Sequence, residues 1–206
     1  MCKLKRFLLL PAVLWFSVVA LSQADPPEPT ISKEPLSADQ IAIYRAVLEK
    51  YVKGMSQRLN LADVTETLDR SDLEDLPEDP PCLKSLDLEP ASQSTPRVHQ
   101  LDPAIASNLN VVLVDPDAQS QIVRENDPQK LMGMHATDQQ LDDAVKTAFK
   151  TGLFTLSEVL FDTQHRQAVV SYSFYCGRLC GHGNFLLLKK AGKRWKVKKV
   201  CDGWIS

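Results

Sequence analysis

Polar and apolar positions in the last third of the chain alternate with a period of two. Across Arg166–Cys176, Val170, Tyr172, Phe174 and Cys176 fall on one side and Ser171 and Ser173 on the other, as in a strand with one buried face. Phe185-Leu186-Leu187-Leu188 is continuously apolar, and Ala191-Gly192-Lys193-Arg194 turns the chain into Trp195-Lys196-Val197-Lys198. With Phe154–Phe161 as the first strand and Asp162-Thr163-Gln164-His165 as its connection, the pattern predicts an antiparallel meander of about four strands. The last strand changes parity, so a bulge near Lys198-Lys199 is needed to put Trp195, Val197 and Val200 all on the core side.

Earlier in the chain the period becomes helical. Ser37 and Gln40 make a capping box ahead of Ile41, Tyr44, Val47, Leu48 and Tyr51, which share one helix face until Gly54. Thr137 and Gln140 repeat the box before Leu141, Ala144, Val145, Ala148 and Phe149, a stripe expected to pack on the meander, and Gly152 ends it. Asp102-Pro103, Asp115-Pro116 and Asp127-Pro128 each predict the start of a short helix, because aspartate accepts from first-turn amides and proline is tolerated at the first helical position. Val111–Val114 reads as a short buried strand, and Leu59–Leu68 as a weaker one. The expected fold is α+β, with N-terminal helices packed on the C-terminal antiparallel meander. Residues 36–206 would form one such domain, with a proline-rich acidic loop at 69–97 and a flexible leader at 25–35.

Targeting changes the picture at the start of the chain. Lys3, Lys5 and Arg6 precede the apolar run Phe7–Leu21, and Ser22-Gln23-Ala24 offers small residues where a signal peptidase cuts. Residues 1–24 therefore read as a signal peptide. The run is about fifteen residues, short of the roughly twenty that span a bilayer, so no membrane span is expected after cleavage. The expected location is secreted or periplasmic. Removing Lys3, Lys5 and Arg6 takes the net charge from −2 to −5, with the acids concentrated before residue 150 and the bases after it. That asymmetry suits two parts that attract each other, and no nucleic-acid partner is expected.

Cleavage leaves Cys82, Cys176, Cys180 and Cys201, an even number in an exported chain, which predicts two disulfides. Of the three pairings we favour Cys176–Cys180 with Cys82–Cys201, since Cys176 and Cys180 flank the tight turn Gly177-Arg178-Leu179. On the chain-entropy model the short bridge contributes roughly 2 kcal/mol and the long one nearer 5 kcal/mol. The alternative is a metal-binding or thiol-redox tip built from Cys176, Cys180 and His182, with Cys201 as a fourth ligand, since thiolate and imidazole suit zinc or copper(I). Its C-x3-C-x-H spacing within one loop differs from paired C-x2-C knuckles, and an oxidising compartment competes for the thiols. Cysteine nucleophiles need a free thiol that an even count does not leave. His99, His135 and His165 read as surface residues in loops, and the acidic cluster Asp72, Glu74, Asp75, Glu78 and Asp79 lacks the spacing of a calcium loop. No catalytic residue, metal or cofactor is assigned. Arg178, His182 and Asn184 are the polar groups expected to be exposed at the tip and to contact any ligand there.

Phe154–Phe161, Gln167–Val170, Cys176-Gly177-Arg178-Leu179-Cys180-Gly181-His182-Gly183, Trp195-Lys196-Val197 and Trp204-Ile205-Ser206 together resemble a family of uncharacterised exported bacterial proteins. That family has a C-G-x-L-C-G-x-G strand-turn motif and a closing W-[IV]-S; Val112–Asp117 and Glu125–Pro128 extend the likeness. The resemblance implies an envelope location and an α+β fold and carries over no catalytic residue. Members do not all keep a partner for every cysteine, which favours local pairing of Cys176 with Cys180. The expected function is a non-catalytic binding or structural module of the cell envelope, its partner an envelope protein or a small ligand.

Overall fold

Side-chain caps set the helix starts. In the computed structural model, which describes residues 29–74, 83, 86–89, 97–132 and 134–206, β1 (Thr30–Ser32) precedes α1 (Ala38–Tyr51), whose Ser37–Gln40 capping box is formed in both directions. There follow β2 (Leu59–Ala62), α2 (Arg70–Glu74), β3 (Arg97–His99), a 3-10 turn at Pro103–Ile105, β4 (Val111–Val114) and α3 (Pro116–Glu125). A second 3-10 turn, Pro128–Leu131, leads to α4 (Asp138–Thr151), which carries the Thr137–Gln140 box. The chain closes with β5 (Leu153–Leu156), β6 (Leu160–Phe161), β7 (Gln167–Gly177), β8 (Cys180–Ala191) and β9 (Arg194–Ile205). All three Asp-Pro pairs start helical turns as expected, the aspartate accepting a backbone amide each time.

The sheet corrects the expected architecture. Strand predominates over helix, and the expected four-strand antiparallel meander is one end of a mixed seven-stranded sheet of order β4-β2-β5-β7-β8-β9, with β6 paired to β7. The N-terminal part is therefore not a set of helices laid on a meander. β2 pairs parallel with both β4 and β5, while β5–β7, β7–β8 and β8–β9 are antiparallel; β1 and β3 form a separate parallel pair. Parallel strands are covered on both faces, which removes the alternation that marks β7. All four residues of β5 are buried.

The two faces hold different cores. Ile43, Tyr44, Val47 and Leu48 of α1 pack with Leu59, Leu61, Phe154, Leu156, Leu188 and Trp195 on one face. On the other, Val123 of α3 meets Ala62 and Leu153, and Leu68, Leu73, Leu83, Leu86 and Leu88 cover Val169, Leu187 and Cys201. The acidic loop thus contributes leucines to a core. The expected bulge is present, since Leu187 pairs with Lys199 and Leu188 with Val197, which leaves Lys198 extra. Val200 nevertheless stays exposed on the outermost strand.

Candidate functional site

The tip of the β7–β8 hairpin is held by three local devices. The Cys176–Cys180 disulfide brings their Cα atoms to 5.1 Å. Asp127, which caps the second 3-10 turn by accepting from the Gln129 amide at 3.0 Å, also accepts from the Arg178 amide at 3.3 Å. Gly177, at φ +141°, makes that approach possible, because a Cβ there would stand 2.8 Å from Asp127 Oδ1. The third device explains two motifs at once. Gly183 pairs with Trp204, whose indole lies across Gly181 and Gly183; a Cβ on Gly183 would sit 2.5 Å from Trp204 Nε1. The glycines after Cys180 and the closing Trp204-Ile205-Ser206 are thus halves of one contact.

These devices place the hairpin tip opposite α4 and open a groove of about 720 Å³ between them. Its walls are Met132, Leu141, Val145, Phe149, Leu179 and Ile205, with the disulfide, Gln129 and His182 also lining it. The α4 stripe packs on the sheet only in part, through Ala148 and Phe149. Only Ala148 of that helix is buried, Val145 and Phe149 are exposed, and Phe149 stacks on Phe174 with ring centroids 6.1 Å apart. Met132 and Leu179 are 64% and 63% exposed and Ile205 is 90% exposed, so an apolar surface flanks the groove without cover.

The predicted contact residues do not act as one group. Arg178 is exposed and lies outside the groove lining. Asn184 is half-buried and donates from Nδ2 to Tyr172 Oη at 2.9 Å. His182 alone of the three lines the groove; its Nε2 lies 3.3 Å from Tyr51 Oη, and its ring stacks on Tyr51. Burial holds the imidazole below its ordinary pKa of 6.5. Burial, with Tyr172 beside it, pushes the Tyr51 phenol well up, so it remains protonated and able to donate.

Both tip sulfurs are bonded to each other, so no thiolate faces His182. Among the described residues no three His, Cys, Asp or Glu side chains gather as a metal site. Cys201 is buried on the opposite face and takes part in a disulfide; Cys82, its expected partner, lies outside the described residues, as do residues 1–28, which include the expected signal peptide.

His99 differs most from its reading as a surface residue. It sits on β3 with Nδ1 2.9 Å from both oxygens of Glu158, and the Thr65 hydroxyl donates to the same carboxylate. The hydroxyl meets the carboxylate and not the imidazole, which is the wrong order for a base-activated nucleophile. The cluster instead ties the small β1–β3 sheet to the chain between β5 and β6. His165 is likewise paired, its Nε2 2.8 Å from Glu89. No family model, curated protein or solved structure matches the chain.

Proposed function

We propose that the protein is an exported, non-catalytic binding module that takes a small apolar ligand in the groove between α4 and the hairpin tip. The carrying observation is the groove itself, whose volume of about 720 Å³ falls within the roughly 300–1,000 Å³ of ligand sites. Its apolar walls are side chains that the fold leaves otherwise uncovered. His182, backed by Tyr51, supplies a fixed polar point within them. A secreted or periplasmic location in the bacterial envelope is supported by the signal-like residues 1–24, by the disulfide and by the resemblance to exported proteins. Among the described residues no helix is long and apolar enough to cross a membrane. The metal or thiol-redox reading would require the two sulfurs to part.

Titration with the neutral fluorophore N-phenyl-1-naphthylamine tests the proposal. Saturable enhancement at one site per chain is expected, weakened at least about tenfold by Val145→Glu or Leu179→Glu, which put an unpaired charge in the groove at exposed positions. Absence of saturable binding, or wild-type affinity in both variants, would refute it.

A further inference from the structure

The groove is selective in charge. Its lining contains no Lys, Arg or Glu side chain, and its one acidic side chain, Asp127, is buried with its oxygens accepting from the backbone amides of Gln129 and Arg178. A carboxylate entering the groove would lose water and meet no cation. His182 stays neutral at neutral pH because burial disfavours its charged form. Anions that lose hydration without gaining a partner bind poorly, so the walls disfavour an anionic guest.

A second, independent observation concerns hydrogen bonding. Gln129 Oε1 is a buried acceptor without a hydrogen-bond partner among the described residues, and Gln129 lies on the groove wall, on the turn that Asp127 caps. Buried acceptors are almost always satisfied, and one left alone stands out. The terminal torsion of a glutamine is soft, so the amide can turn toward a donor in the groove.

We infer that the groove binds an amphiphile without negative charge, an apolar skeleton bearing one O–H or N–H donor that Gln129 accepts. This rests on the groove being the binding site, as proposed above. Ordinary long-chain carboxylates are excluded by the same reasoning.

The test is competition against N-phenyl-1-naphthylamine at pH 7.5 with three probes of similar length: 1-nonanol, methyl octyl ether and nonanoate. With the disulfide-intact protein, 1-nonanol is expected to displace the fluorophore about tenfold better than the ether, which lacks the donor, and at least about tenfold better than the ionised acid. Gln129→Leu should bring the alcohol-to-ether ratio to about one while fluorophore binding persists. Gln129→Met, which keeps the chain length, serves if the leucine variant fails to fold. Val145→Lys should tighten nonanoate relative to nonanol by supplying the missing cation. Equal affinity of nonanoate and nonanol in the wild type, or an alcohol preference that survives both Gln129 variants, overturns the inference. If the fluorophore itself does not bind, the groove reading falls first, and the two failures are distinguishable.

Discussion

Gly183 and Trp204 should be energetically coupled, and the size of the coupling follows from their geometry. An alanine Cβ at 183 would stand 2.5 Å from Trp204 Nε1 and 2.9 Å from both Trp204 Cε2 and the Tyr172 carbonyl oxygen. The indole must therefore shift by about 1 Å or lift away. Trp204 is 47% exposed, so roughly half of its side-chain area of about 250 Å² is covered; at about 25 cal/mol per Å² this stabilises by about 3 kcal/mol, an upper bound because unfolded chains also cover some area. Gly183→Ala should cost about 1–3 kcal/mol in the wild type, and Trp204→Ala about 2–3 kcal/mol. With the indole gone the Tyr172 carbonyl oxygen at 2.9 Å still opposes the added methyl, so Gly183→Ala should then cost about 1–2 kcal/mol less than in the wild type. The unfolded-state effect of replacing glycine is common to both backgrounds and cancels.

A double-mutant cycle measured by urea denaturation should thus return a coupling of about 1–2 kcal/mol, with each kcal/mol lowering Tm by about 2–4 °C. Additivity within about 0.5 kcal/mol would show that the glycine does not exist to receive the ring. Ile205 follows Trp204 and lines the groove, so Gly183→Ala should also weaken fluorophore binding.

Three further outcomes are expected. Replacing Cys176 and Cys180 together by serine should cost roughly 2 kcal/mol on the chain-entropy model and loosen the groove wall they form, read as lower denaturant midpoint and weaker fluorophore binding. Asp39 has a lowered pKa because Lys190 Nζ at 2.6 Å and Trp195 Nε1 at 3.0 Å hydrogen-bond its carboxylate. A depressed folded pKa means that the stabilisation is complete above the unfolded value of 3.8 and lost as pH falls through the folded one, so Asp39→Asn should show a shallower loss of stability below about pH 4. Glu158→Gln weakens the charged acceptor shared by Thr65 and His99 and should cost about 1.5–3 kcal/mol, with faster hydrogen exchange at the His99 amide; an unchanged exchange rate would contradict the role assigned to that cluster.

Features set within a few residues were legible in the sequence. Ser37 with Gln40, Thr137 with Gln140 and the three Asp-Pro pairs act over one helical turn, and each is found where it was read. The Lys198 bulge was legible because three large side chains needed one face. Strand partnership was not. Nothing local in Leu59–Ala62 or Val111–Val114 records that they pair in parallel with each other, or that Asn60 and Leu61 pair with Leu153 and Phe154. The connection from β2 to β4 carries α2, β3 and a 3-10 turn and that from β4 to β5 carries α3 and α4, and burial on both faces erases the alternation that betrays an antiparallel strand.

The groove lies at the far end of the same scale. Met132, Val145, Leu179 and Ile205 come from four separate segments and share a surface only because Asp127 reaches the Arg178 amide past a glycine and Trp204 rests on two more. One hint was present locally: α4 carries a broad apolar stripe, yet the structure buries Ala148 alone and leaves Val145 and Phe149 open. A helix that keeps more apolar surface than its own fold covers has surface left for something else to cover. On that argument the groove's depth depends on the hairpin tip, and the tip depends on the Cys176–Cys180 bridge. Breaking the disulfide should therefore weaken binding of the guest and also reach α1, because Cys176 lies in the same core as Ile43, Leu61 and Trp195 and Tyr51 of α1 stacks on His182.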